Sequence, residues 1–247
     1  MKVLFLSDLH LGASYIADPR SHEMHVVRFL HDCAADADHI YLLGDVLDYW
    51  YEYRSVVPRG FVRFFGELAR LADSGVRITW MTGNHDIWLF DYIRDEIGVE
   101  VIDAPYIVRE IGGKQFLLAH GDRIGRTTAG FRLICSLFRS RLCQRLYAAV
   151  HPGLTVPFAR RWSHSSRESG AETPEQRRLH IDSIIADTKA IAATHPGIDY
   201  IVEGHHHIAL LRDLPGTATR VAVLGDWISQ YTYGEFDGTK FELKRFN

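Results

Sequence analysis

The sequence predicts an α/β domain, and three features carry that expectation. Short apolar runs of β type alternate with segments whose apolar residues recur at helical spacing. Each early run stops at Asp, Gly, Asn or His, and two further runs return late, after a long basic interval.

Val3–Leu6, Ile40–Leu43, Val76–Met81 and Phe116–Ala119 are the early strands. Between them, Glu23–Ala35 places Val26, Phe29 and Leu30 on one helical face, and Gly60–Ser74 does the same with Phe61, Phe64, Phe65, Leu68 and Leu71. This is a βαβ rhythm. Tyr200–Val202 and Val221–Leu224 supply two later strands, and the tail FDGTKFELKRF alternates around Asp237-Gly238, which predicts an edge hairpin. From Asp122 to about Ile198, arginines such as Arg132, Arg139, Arg141 and Arg145 interleave with Phe131, Leu133, Ile134, Leu137, Phe138, Leu142, Leu146 and Tyr147. That spacing predicts two or three amphipathic helices, either a layer packed on the sheet or a lid over a site. No internal repeat divides the chain, so a single domain over residues 1–247 is expected, with a helical cap insertion at about 123–198.

A chain of 247 residues with 47% hydrophobic and 24% charged residues buries a core without disulfide staples. The net charge of −3 excludes a basic nucleic-acid coater, and no nucleic-acid partner is expected. Cys33, Cys135 and Cys143 are odd in number and lack CxxC spacing, which argues against a disulfide framework or a cysteine zinc site and for a reducing compartment. The N-terminal apolar run reaches Asp8 and His10 too soon for a signal-peptide core, and no stretch approaches the ~18 to 20 apolar residues of a membrane span. A cytoplasmic monomer with at most peripheral membrane contact is the expectation.

Fourteen histidines stand out. His22, His25, His31 and His39 lie among polar residues and read as exposed helix or loop positions. The others of interest sit beside aspartates after apolar runs: Asp8-Leu9-His10, Gly44-Asp45, Gly83-Asn84-His85-Asp86, His120-Gly121-Asp122 and Gly204-His205-His206-His207. Functional groups gather beyond the carboxyl ends of strands in open α/β sheets, so these five motifs converge on one site. Imidazole, carboxylate and amide oxygen suit Mn, Fe or Zn better than thiolate-seeking ions. In extended chain, His205 and His207 share one face while His206 points away, and Asp8 and His10 do likewise. Asp45 is a candidate bridge between two ions ~3.5 to 4 Å apart, an arrangement suited to phosphate-ester hydrolysis.

In this order and on these strand ends, DLH, GD, GNHD, HGD and GHHH resemble the calcineurin-like metallophosphoesterase superfamily over nearly the whole chain. The resemblance implies a four-layer α/β (α+β) fold, a β-sandwich flanked by helices with a dinuclear centre at its edge. It implies that one ion takes Asp8, His10, Asp45 and His207, and the other Asp45, Asn84, His120 and His205. His85 matches the histidine that contacts the phosphate or protonates the leaving oxygen, with Asp86 as its orienting partner.

Asp45-Val46-Leu47-Asp48-Tyr49-Trp50, the HGD at His120, the basic helical insert and Val223-Leu224-Gly225-Asp226-Trp227 are similar to the UDP-2,3-diacylglucosamine diphosphatase family. That resemblance implies cleavage of the pyrophosphate of an acylated UDP-sugar to a lipid monophosphate and UMP in lipid A biosynthesis. It also implies two Mn²⁺ ions, a cap that holds acyl chains, and contact with the cytoplasmic face of the inner membrane. His85 stands where the best-known branch has Arg, and GHHH replaces GHTH. The strings YLLGDVLDYWYEYRSVVPRGF and VLGDWISQYTYGEFDG are closer to a Bacteroidota-type branch. A phosphodiesterase or phosphomonoesterase acting on nucleotides or other phospholipids is the alternative, and a non-catalytic scaffold a further one.

Trp50 and Trp227 read as packing residues, and Cys135 and Cys143 as lining of the core or an acyl pocket. Arg160, Arg161 and Arg167 with Ser163 and Ser166 are candidate clamps for phosphate or uridine, with a solvated loop as the other reading. Asp122 is a candidate neighbour of the metals and of substrate.

Overall fold

The computed structural model describes residues 1–125, 129–157 and 173–247. Strands β1 (Val3–Leu6), β2 (His39–Leu43), β3 (Arg77–Met81) and β4 (Glu100–Ile102) alternate with helices α1 (Pro19–Cys33), α2 (Val62–Asp73) and α3 (Tyr92–Ile97). Strands β5 (Ile107–Ile111) and β6 (Lys114–Leu118) follow, then the insert helices α4 (Ala129–Arg139), α5 (Arg141–Ala148), α6 (152–157) and α7 (Pro174–Thr194). The chain closes with β7 (Tyr200–Glu203), β8 (Ala209–Asp213), β9 (Arg220–Leu224), β10 (Thr232–Phe236) and β11 (Phe241–Arg245). One sheet has the order β11-β10-β1-β2-β3-β4 and the other β5-β6-β7-β9-β8.

The period of two along each strand builds four layers. Val3 and Phe5 of β1 enter a core between the sheets with Phe116, Tyr200, Phe236 and Phe241. Leu4 and Leu6 point the other way, to Phe29 of α1 and Phe64 and Leu68 of α2. On the outer face of the second sheet, Leu117, Ile201, Val221 and Val223 meet Ile184 and Ala192 of α7. A sheet buried on both faces needs apolar residues at every position, which is why VLFL shows no alternation. Trp50 and Trp227 are buried in the first helix-facing core.

Helix α1 starts ahead of Glu23, because the Asp18 carboxylate accepts from Ser21 N at 3.0 Å and Pro19 occupies the first turn. The strands β4, β5 and β8 escaped the periodicity; all three lie at sheet edges, where charged residues replace the apolar run. The tail forms the expected hairpin, with the Asp237 carboxylate accepting from the amides of Thr239 and Lys240 and β11 at the sheet edge.

The two readings of the basic interval divide within it. Helix α7 is a packed layer, whereas α4 and α5 lie against loops at the carboxyl ends of β2 and β3 through Tyr49, Tyr51, Trp88, Phe138 and Tyr147. Ser140 caps α5 by accepting from Cys143 N, so Cys135 and Cys143 fall on different helices, each half-buried rather than in a core. Of His22, His25, His31 and His39, only His31 is exposed. His22 is buried and its Nε2 donates to Leu9 O at 2.7 Å, bracing the DLH loop from below; His25 and His39 are half-buried.

Candidate metal centre

All five motifs follow β strands, and the turns they make are tight. Asp8, His10, Asp45, His205 and His207 all have left-handed backbones, with φ between 43° and 67°. Non-glycine residues in that region cost about 1–3 kcal/mol each where strained, and cluster where function demands a fixed side-chain direction. Neither His205 and His207 nor Asp8 and His10 therefore sit in extended chain as expected. His206 N donates to Gly204 O at 2.8 Å, and this turn turns His206 away, to within 3.1 Å of His180. The glycines preceding these residues are spatially required. A Cβ at Gly204 would strike Ser7 Oγ, and one at Gly44 would strike the His120 ring.

Each carboxylate is used asymmetrically. Asp8 Oδ2 accepts from Ser7 Oγ at 2.6 Å and from His205 N at 2.8 Å, while Oδ1 is buried and accepts no hydrogen bond. That oxygen lies 3.4 Å from His207 Nε2 and 3.7 Å from His10 Nε2. Asp45 Oδ1 accepts from His85 N at 2.8 Å, leaving Oδ2 at 3.3 Å from His120 Nε2 and 3.7 Å from His10 Nε2. Asn84 Oδ1 is 3.1 Å from His120 Nε2.

The imidazoles are anchored in turn. His120 Nδ1 donates to Leu43 O at 2.8 Å, and His10 Nδ1 meets Asp48 Oδ1 at 3.2 Å. His207 Nδ1 lies 3.6 Å from Asp226 Oδ2. In each case Nδ1 is held and Nε2 is aimed inward, the arrangement in which outer partners orient histidine ligands.

Two groups of donors result, Asp8 with His10 and His207, and Asp45 with His120 and His205. A third, His10 with Asp45 and His85, links them through Asp45. Donor separations of 3.1–3.7 Å are those of atoms placed ~2.0–2.2 Å from a shared cation. The orphaned Asp8 Oδ1 in a buried site also fits a cation.

The electrostatics agree. Burial favours a neutral Asp8, but His10, then the His120 and His207 charges, carry its carboxyl down to about 2. Burial acts likewise on Asp45, and His120 and His85 hold it well below the carboxylate range. Burial lowers His120, yet the Asp45 charge and its contact raise it well above the usual imidazole value. Burial, then the His120 charge, brings His205 down to about 4, leaving it a neutral donor.

The structure gives Asp86 a different task from the one expected. Its carboxylate accepts from Gly83 N at 2.7 Å, Val46 N at 2.9 Å, Trp80 Nε1 at 3.0 Å and Asp45 N at 3.3 Å, so it welds the GD loop to the GNHD loop. His85 is oriented instead by Asp48, whose carbonyl accepts from Nδ1 at 3.0 Å. The His85 side chain is 14% exposed and reaches the mouth of the site, with Nε2 3.9 Å from Asp45 Oδ2. Asp48 and Asp226 were missed as site residues, although Asp48 follows the Gly44-Asp45 signal and Asp226 is the aspartate of a second one, Gly225-Asp226. Asp122 is buried, and its charge acts on both His120 and His205. Arg160, Arg161, Ser163, Ser166 and Arg167 lie outside the described residues.

A two-sheet sandwich carrying a buried His/Asp/Asn cluster at its strand ends defines a metal-dependent phosphoesterase. The chain belongs to the calcineurin-like phosphoesterase family, whose sequence model matches residues 1–209. It is 40% identical to the UDP-2,3-diacylglucosamine hydrolase of Porphyromonas gingivalis, over 98% of this chain and 97% of that protein. It is 27% identical to the enzyme of the same name from Stenotrophomonas maltophilia, over 93% and 92% of the two chains. Among solved structures, an archaeal phosphodiesterase aligns over 100% of both chains at 14% identity, with a TM-score of 0.48.

Proposed function

We propose that the protein hydrolyses the pyrophosphate of UDP-2,3-diacylglucosamine, with water adding across one P–O bond to give 2,3-diacylglucosamine 1-phosphate and UMP, in lipid A biosynthesis. What carries the substrate choice is the end-to-end likeness to the Porphyromonas hydrolase. Exposed apolar side chains near the site are in support: Leu133, Leu142 and Leu146 of α4 and α5 are 63–70% exposed on helices resting against the GD and GNHD loops. Exposed apolar side chains gathered on one surface suit contact with a lipid or a partner.

Asp8, His10, Asp45 and His207 would hold one divalent ion, and Asp45, Asn84, His120 and His205 the other; the nitrogen and oxygen donors admit Mn, Fe or Zn, and Mn²⁺ is the choice that the family resemblance implies. Bound there, the ions supply Lewis acidity and water activation. The chain's own residues do the rest. Asp45 presents one oxygen to both groups, and Ser7, His205 N and His85 N hold the other carboxylate oxygens still. His85, with Nδ1 committed to Asp48 O, keeps Nε2 for the phosphate or the leaving oxygen.

The cap rests on the cytoplasmic face of the inner membrane in this reading, its leucines meeting acyl chains and its arginines meeting phosphate. No helix among the described residues is long and apolar enough to cross a membrane. The deciding assay follows UMP release with Mn²⁺ from UDP-2,3-diacylglucosamine, from unacylated UDP-sugars and from aryl phosphates. Turnover confined to the acylated substrate supports the proposal. Equal rates on soluble nucleotides would favour a broad phosphodiesterase, and full turnover in metal-stripped protein would overturn the metal assignment.

A further inference from the structure

The insert helices touch the core where the site is made. Tyr49 OH and Tyr147 OH of α5 are 2.9 Å apart, and Tyr51 OH donates to Gln144 O at 2.6 Å. Trp88 Nε1 donates to Phe138 O at 2.9 Å, and Tyr53 OH meets Thr155 Oγ1 at 2.6 Å. The Tyr147 ring packs against Trp88 and Tyr51 at centroid distances of 4.6 and 4.8 Å. Tyr49 is the residue after Asp48, and Asp48 holds both His10 and His85.

We infer that Tyr147 is a positioning residue for the reaction: its hydroxyl contact with Tyr49 fixes the Asp48 backbone, and through it the direction of the His85 imidazole. The cap then does more than receive a lipid. Its seat on the core sets the geometry of a group that faces the phosphate. Tyr49 and Asp48 share one peptide unit, so a shift of the Tyr49 side chain tilts the carbonyl that accepts from His85 Nδ1. Both hydroxyls are half-enclosed among aromatic rings, where an unmade hydrogen bond is costly and a made one is directional. Arg139 of α4 adds a weaker tie, with Nη2 3.4 Å from Gly83 O beside Asn84.

The inference rests on the proposed reaction for its kinetic arm and on the fold alone for its spectroscopic arm. Tyr147→Phe keeps the ring packing and removes only the hydroxyl; Tyr49→Phe removes the contact from the other side. On UDP-2,3-diacylglucosamine, kcat is expected to fall roughly tenfold or more in either variant, since small misplacements of a reacting group are expensive. KM stays near that of the parent, and the Tyr49→Phe/Tyr147→Phe double variant is no slower than either single one. Combined with His85→Gln, Tyr147→Phe adds no further loss. In metal-free protein, the His85 imidazole nitrogen resonances shift in both single variants, while the dispersion of the remaining resonances shows that the fold is kept. A rise in KM with unchanged kcat, losses that multiply with His85→Gln, or unmoved His85 resonances would each overturn it. If the parent protein fails to turn over this substrate, the proposed reaction fails, and the resonances alone decide the positioning role.

Discussion

The backbone amide of His205 donates to Asp8 Oδ2 at 2.8 Å, joining the loops after β1 and β7 across 197 residues of chain. This one contact orients two candidate ligands at once. It commits Oδ2, so that only Oδ1 faces the site, and it fixes the tight turn that carries His205 and His207.

Removing the shared carboxylate should separate metal loading from folding. Asp45→Ala is expected to abolish turnover and to lower the stoichiometry of Mn²⁺ bound in calorimetry, because Oδ2 serves both donor groups. A variant that loads metal like the parent would show that Asp45 bridges nothing.

Asp48→Asn tests the outer anchors. The amide keeps the shape but weakens the hold on His10 Nδ1, and such losses cost about 10–100-fold in metal affinity or activity. Metal titration of the purified variant reads this directly, and an unchanged affinity would refute the role.

Gly204→Ala puts a methyl group into Ser7 Oγ and the Asp8 carboxylate. Overpacking of this kind costs about 1–3 kcal/mol. The melting temperature should drop, and metal affinity should fall with it because the Asp8–His205 contact must open. Gly66→Ala, which like Gly204→Ala involves no positive φ but has nothing near its Cβ, controls for a methyl group added in open space.

Glu203 supplies a pH test. Burial, then the Asp187 charge, pushes its carboxyl from 4.5 to about 8. Between those values the folded protein binds more protons than the unfolded chain, so stability falls as pH rises through the window and levels off above about 8. In metal-free protein, Glu203→Gln should flatten denaturation midpoints between pH 5 and 8 relative to the parent. An unchanged slope would mean that the carboxyl is ionised in the fold.

The cap surface can be tested apart from the chemistry. Replacing Leu133, Leu142 and Leu146 with Ser alters exposed positions, so each change should shift stability by no more than about 0.5 kcal/mol. Binding to vesicles containing anionic lipid should weaken, and KM for the acylated substrate should rise. Vesicle binding equal to the parent's would remove the cap from the membrane.

Much of this was legible in the chain. Turn chemistry and apolar runs are local properties, so the strand ends and the Asp, His and Asn residues on them could be read directly, and with them the phosphoesterase chemistry. Edge strands β4, β5 and β8 were not legible, because a strand paired on one side tolerates charges that hide its period. The partner of His85 could not be read either. Asp86 is adjacent in sequence, but its carboxylate is consumed by Gly83 N, Val46 N and Trp80 Nε1, and Asp48, 37 residues away, takes the role.

Residue types at the strand ends thus define which atoms are available to a metal or a phosphate. Which atoms face the site is a matter of packing. Asp8 Oδ1, Asp45 Oδ2 and the Nε2 atoms of His10, His120 and His207 point inward because their other polar atoms are satisfied by groups remote in sequence. A hydrogen bond between distant loops exists only once the sheets have stacked and brought those loops together, and no local period encodes it.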